Sequence, residues 1–240
     1  MSTKLAAYED FVNSTAELNL LLAVRPQSPL VPRADEAVQL ENAVHRACLV
    51  LLVAHFEGFA KGALSEYVDE ICAVRPPARK VPPAFLELFT RDRIQEIASL
   101  PPGVDRVHRT RRLFTAFSAL WDQERTIDPQ VISSKILARQ MTSLKPDVLR
   151  ESFALIGIDD IIDSATSHLQ GSGLSVRVDI KLEEIVNKRN LIAHGDYSVK
   201  PTSTDLEDYV EFFMAVGDAF SACVVRAIEE ACTLRPLWGE

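Results

Sequence analysis

Arg189 and His194 stand five positions apart in Lys188-Arg189-Asn190-Leu191-Ile192-Ala193-His194-Gly195-Asp196, at the end of a helical pattern. Arginine carries a planar, permanently charged fork that matches phosphate oxygens. Histidine is the side chain that gives or takes a proton near neutral pH. With Asn190 available to orient a phosphate, these residues supply what phosphodiester chemistry requires, a charge stabiliser and a proton-transfer group. On the helix that carries them the apolar stripe is Leu182, Ile185, Val186 and Ala193, and Arg189 takes the i+7 place on that stripe. A guanidinium facing inward is costly unless it is paired or set at a polar cleft. His194 lies about 140° round an ideal helix from Arg189. Convergence therefore relies on the length of the arginine and on the helix stopping at Gly195. The C-terminal end of a helix also favours a positive charge. The competing reading is plainer: Arg189 pairs with a core carboxylate and His194 merely ends the helix.

Two further places carry charge that needs explaining. Glu57 sits in Leu51-Leu52-Val53-Ala54-His55-Phe56-Glu57-Gly58-Phe59, within a helical pattern that is apolar nearly all round. A buried carboxylate needs a partner. Arg189, on the other inward stripe, is one choice, and then Glu57 supports the guanidinium; Lys61, one turn on, is the other. His55 reads as an interior or interface histidine, and His45 and Arg46 as residues for the mouth of a cleft. The second place is Arg106-Val107-His108-Arg109-Thr110-Arg111-Arg112, a basic cluster in an acidic chain. Arg106, Arg109, Arg111 and Arg112 are candidates for phosphate-backbone contact, against the alternative of a solvated helix face. Phe114, Phe117 and Trp121 follow at helical spacing and are expected in the core.

The rest of the chain sets the frame. With 240 residues, 47% of them hydrophobic and 25% charged, it has the composition of a globular protein able to bury a core. Nine glycines against 13 prolines, and few β-branched runs, argue against an all-β fold. A formal net charge of −8 excludes binding of nucleic acid by bulk charge, so any such contact must be local. The sequence contains no glycine-rich phosphate loop, no H-E-x-x-H and no G-x-S-x-G. Its histidines and cysteines lack metal-ligand spacing, so neither a metal nor a cofactor is expected. Asp159, Asp160 and Asp163 are explained by a helix N-terminus. Cys48, Cys72, Cys223 and Cys232 read as reduced thiols. The N-terminus lacks a signal-peptide pattern, and the longest apolar run, Ala47 to Ala54, is well short of a membrane span. The expected compartment is the cytoplasm.

The periodicity predicts an all-α helical bundle, residues 1–240 forming one domain. A first helix follows the stripe Leu5, Tyr8, Phe11, Val12, Thr15, Leu18 and Leu22, and ends before Arg25-Pro26-Gln27-Ser28-Pro29. A second, central helix runs from Asp35 to Val74 and is stopped by Pro76-Pro77. Residues 82–145 read as a less regular helical insertion of short segments separated by prolines. A helix from Pro146 to about Gly157 and another to Leu169 precede a Gly171-Ser172-Gly173 turn. The motif helix spans about Ile180 to His194. Thr204-Asp205-Leu206-Glu207 reads as a capping box opening a long last helix.

The R-x(4)-H form of Arg189 and His194, the Leu51–Phe59 helix with its interior glutamate, the Pro146–Gly157 segment and the long helix after the motif resemble the HEPN superfamily. The likeness is greatest to the RiboL-PSP-associated groups of bacterial conflict and defence loci. The resemblance implies a helical bundle that dimerises so that two motifs face one cleft. It implies a metal-independent ribonuclease of toxin or phage-defence type, RNA as substrate, and an antitoxin or defence protein as partner. Some superfamily members bind nucleotide or RNA without cleaving it, and that alternative stays open. Other members have a tyrosine modified by a partner nucleotidyltransferase, two positions after the histidine. Here Tyr197 lies three after His194, which puts such a partner in doubt.

Overall fold

The computed structural model describes residues 4–23, 34–173 and 176–233. Among these the chain forms nine α-helices: α1 (Ala6–Leu22), α2 (Ala34–Val74), α3 (Pro83–Ser99), α4 (Val104–Leu120), α5 (Ser134–Ala138), α6 (Pro146–Ala154), α7 (Ile161–Gly171), α8 (Val178–Ala193) and α9 (Ser203–Cys232). No strand occurs among the described residues; β-type pairing is limited to an isolated antiparallel bridge between Pro77 and Thr126. The fold is all-α, as the periodicity predicts. The Arg25–Pro29 turn lies outside the described residues.

The long second helix is the spine. At 41 residues α2 extends about 60 Å, and it packs chiefly against α1 and α9, then α5 and α8. Leu49, Leu52, Phe56, Ala60, Ala63, Leu64 and Tyr67 are fully buried along it. Phe56 is the hub of an aromatic cluster, with ring centroids 5.4 Å from Phe11 of α1 and 4.5 Å from Phe213 of α9. Such apolar burial supplies most of a helical bundle's stability. By length and composition this helix could also cross a bilayer, but half of its most apolar stretch is buried against its neighbours, the position of a bundle's core helix.

Local chemistry fixes how the first helix sits on the spine. Glu66 of α2 accepts the Ala6 and Ala7 backbone N–H groups at 3.0 and 2.5 Å, placing a carboxylate at the positive end of α1. A Cβ at Gly62 would stand 2.8 Å from the Ala7 Cβ, so only glycine permits this approach. Leu5 donates its N–H to the Ser221 hydroxyl at 3.1 Å, tying the same end to α9.

Three expectations need correction. The last helix is capped by Thr202: its hydroxyl accepts the Asp205 N–H at 3.1 Å while Asp205 accepts the Thr202 N–H at 2.8 Å. Aspartate fills the reciprocal role expected of a glutamate, so the box lies two residues before Thr204. The middle segment is also more regular than its prolines suggest. Pro83 occupies the first turn of α3, where its missing N–H costs nothing, and Pro101-Pro102 only separate two helices of 17 residues each. Finally, Phe117 is buried as expected, but Phe114 and Trp121 are exposed. α4 packs chiefly on α3, so among the described residues one side of it is left open.

Candidate functional site

The motif sits at the C-terminal end of α8, and its geometry follows from one glycine. Asp196 donates its N–H to the Leu191 carbonyl and Gly195 to that of Ile192, both at 3.0 Å. This is the paired closure of a Schellman motif, which requires a left-handed residue; Gly195 supplies it with φ +85°. His194 is thereby left as the C-cap, just past the last helical residue, with φ −88° and ψ 9°, its side chain exposed. Leu182, Ile185 and Val186 bury the other face of α8.

Arg189, one turn earlier, is half-buried. One terminal nitrogen donates to the Asn190 side-chain carbonyl at 3.0 Å. Its Nε is buried with no hydrogen-bond acceptor, and among the described residues no carboxylate pairs with it. Glu57 does not reach it. The Glu57 carboxylate accepts from Lys61 Nζ at 2.6 Å within α2. The local i,i+4 partner holds it, because two side chains one turn apart meet with little loss of freedom. His55, also on α2, faces Glu17 of α1 at 3.7 Å.

The loop after the motif is held by the first part of α2. The buried His45 donates Nδ1–H to the Pro201 carbonyl at 3.0 Å. The Arg46 guanidinium lies 4.5 Å from the Tyr197 ring centroid, a cation–π contact. Hydrogen bonds from Ser198, helped by the charge of Arg46, hold the Asp196 carboxyl below the usual carboxylate range. His45 and Arg46 thus border the motif loop.

A network absent from the sequence reading fixes α8 against α9. Lys188 Nζ donates to Glu184 at 2.7 Å and to the Tyr209 hydroxyl at 2.8 Å, and that hydroxyl donates to Glu184 at 3.3 Å. The Lys188 contact holds the Glu184 carboxyl below its ordinary range, and Glu184 in turn raises the Lys188 pKa. The i,i+4 spacing of Glu184 and Lys188 was the available signal; the tyrosine, 21 positions on, had none. The lysine next to the motif arginine is therefore neutralised, and Arg189 is not.

The other candidates lie elsewhere. Asp160 caps α7 by accepting from the Ile162 and Asp163 N–H groups at 3.0 Å, and it pairs with Arg150 at 3.0 Å. Arg109 of α4 is engaged by Glu96 at 2.8 Å and Asp105 at 3.2 Å. Arg106, Arg111 and Arg112 form no ion pair among the described residues. Four surface hollows are lined by residues other than Arg189, Asn190 and His194. At the motif His194 is exposed and Arg189 half-buried.

An all-α bundle around one long core helix, with Arg189 and His194 at the end of an inner helix, defines a HEPN-type domain. The family model for the RiboL-PSP-HEPN family matches residues 9–226, and the chain belongs to that family. Neither a curated protein nor a solved structure matches it.

Proposed function

We propose that this chain is a metal-independent endoribonuclease of toxin or defence type, acting in the cytoplasm as a homodimer. The observation that carries the reading is Arg189. A half-buried guanidinium without a carboxylate, its Nε lacking an acceptor, is an uncompensated cost unless an anion completes it. Five residues away stands an exposed histidine. A phosphodiester satisfies both groups: its oxygens take the arginine fork, and its esters need proton transfer.

In the reaction the ribose 2′-oxygen attacks the adjacent phosphorus as the bond to the 5′-oxygen breaks. A base takes the 2′-hydroxyl proton and an acid delivers one to the departing oxygen. The products are a 2′,3′-cyclic phosphate and a 5′-hydroxyl. Arg189 stabilises charge on the pentacoordinate transition state, and Asn190 holds the guanidinium in place. One chain offers one His194, whereas the step uses two proton-transfer groups. Two chains that bring their motifs together supply both and turn two open faces into a cleft. The exposed stripe Ala43, Ala47, Ala54 and Gly58 on α2 is a smooth surface of the kind that admits a second helix closely. An antitoxin or other defence protein would keep such an activity in check.

The test is an assay of purified protein on single-stranded RNA in EDTA. Cutting with cyclic phosphate ends, by a preparation that light scattering reports as a dimer, is the expected result. A requirement for magnesium, or a monomer that cuts, contradicts the mechanism. The second reading is a non-catalytic RNA- or nucleotide-binding dimerisation module, which the single histidine per chain favours. Tight binding without cutting across varied substrates would select it.

A further inference from the structure

The α3–α4 hairpin carries an apolar surface that the motif chemistry does not use. Ile94 (50% exposed), Val107 (62%), Phe114 (73%) and Trp121 (49%) all stand open there. They border two adjoining hollows of about 480 and 690 Å³ that share Arg106, Thr110 and Phe114. The Trp121 indole donates to the Thr90 hydroxyl of α3 at 2.9 Å, which fixes the ring at one end of the groove. Exposed apolar surface on this scale marks contact with another molecule.

The charge around the groove selects that molecule. Arg106 and Arg111 line the hollows, no aspartate or glutamate does, and neither arginine has an ion pair among the described residues. The contrast lies within one helix: Arg109 is spent on Glu96 and Asp105, while these two remain free. In a chain of formal net charge −8, an acidic partner is repelled over most of the surface and drawn to this patch. RNA would also meet the arginines and stack on Phe114 and Trp121, but the aliphatic Ile94 and Val107 offer it no stacking face, whereas an apolar helix face is complementary to all four. A second copy pairing this face with itself would gather four arginines and no lining carboxylate into one interface. We propose that the α3–α4 groove docks an amphipathic helix of a partner protein, seated by apolar side chains at i, i+3, i+4 and i+7 and flanked by acidic residues.

The test uses the full chain and synthetic amphipathic peptides of about 18 residues, with one leucine face and a polar face of glutamate, glutamine or lysine. Fluorescence anisotropy of the labelled glutamate peptide should show saturable binding, weakened about tenfold or more by Phe114→Ala. That side chain is exposed, and unchanged circular dichroism verifies that the variant folds. The double variant Arg106→Glu/Arg111→Glu should exchange the preference, losing the glutamate peptide and gaining the lysine one, a switch that misfolding cannot produce. No binding of the glutamate peptide, or binding indifferent to these variants, overturns the proposal. So does loss of self-association or of RNA binding in Phe114→Ala, which would give the face to a second copy or to nucleic acid. The peptide-binding outcomes leave the reading of the Arg189 motif untouched.

Discussion

Among the described residues the other cations of α8 and its N-cap, Arg177, Lys181 and Lys188, each have a carboxylate partner, and Arg189 has none. Lys188 is neutralised by Glu184, Arg177 by Asp179 and Glu57 by Lys61. Arg189 has only the neutral Asn190. A charge that is half out of water and left without a counter-ion is maintained against its own cost, and the reading of this site begins there. The same comparison settles what Glu57 is worth. Its side chain is 24% exposed and paired one turn away, an arrangement that contributes about 0.5 kcal/mol or less. Glu57→Ala should therefore shift the melting temperature by no more than about 2 °C. A loss of several kcal/mol would mean that Glu57 compensates a buried charge after all.

At the scale of the elements, the end of α8 decides where the catalytic candidates stand. Gly195 takes a left-handed conformation with open space around it, nothing lying within 4 Å of the place a Cβ would occupy. A side chain there costs only backbone strain, about 1 kcal/mol. Gly195→Ala should lower stability by that amount in a denaturant titration, with Gly195→Asn nearer to wild type. A Gly195→Ala protein as stable as the parent would show that the motif loop is not set by this turn. Much of this level was legible in the sequence. Helix ends were marked by Pro76-Pro77, Pro83, Pro146 and Gly195, because prolines and a left-handed glycine act locally. The Thr202 cap was missed because aspartate took the place of glutamate. The exposure of Phe114 and Trp121 was hidden for a deeper reason. A helical stripe shows that residues share a face, but not whether another helix covers it, and among the described residues Phe114 and Trp121 of this stretch stay exposed.

At the scale of the molecule, the bundle packs its helices around α2 and leaves His194 exposed and Arg189 half-buried at the end of α8. The aromatic cluster of α1, α2 and α9 fixes the spine, the Glu184–Lys188–Tyr209 network fixes α8 on α9, and His45 and Arg46 secure the loop beyond. Arg189 and His194 follow from the sequence, but their degree of exposure does not, since it depends on which surfaces the other helices cover. Under the proposed mechanism one exposed histidine is half of what the two proton transfers need, and a second chain would supply the other. Under the proposed mechanism these two side chains perform the chemistry, and neither is part of the hydrophobic core. Cleavage of single-stranded RNA by wild type, Arg189→Ala and His194→Ala, each checked for native helical circular dichroism, tests it most directly. Both variants should lose cutting, His194→Ala by about 10²–10⁴-fold. Undiminished cutting by folded His194→Ala protein would contradict the claim.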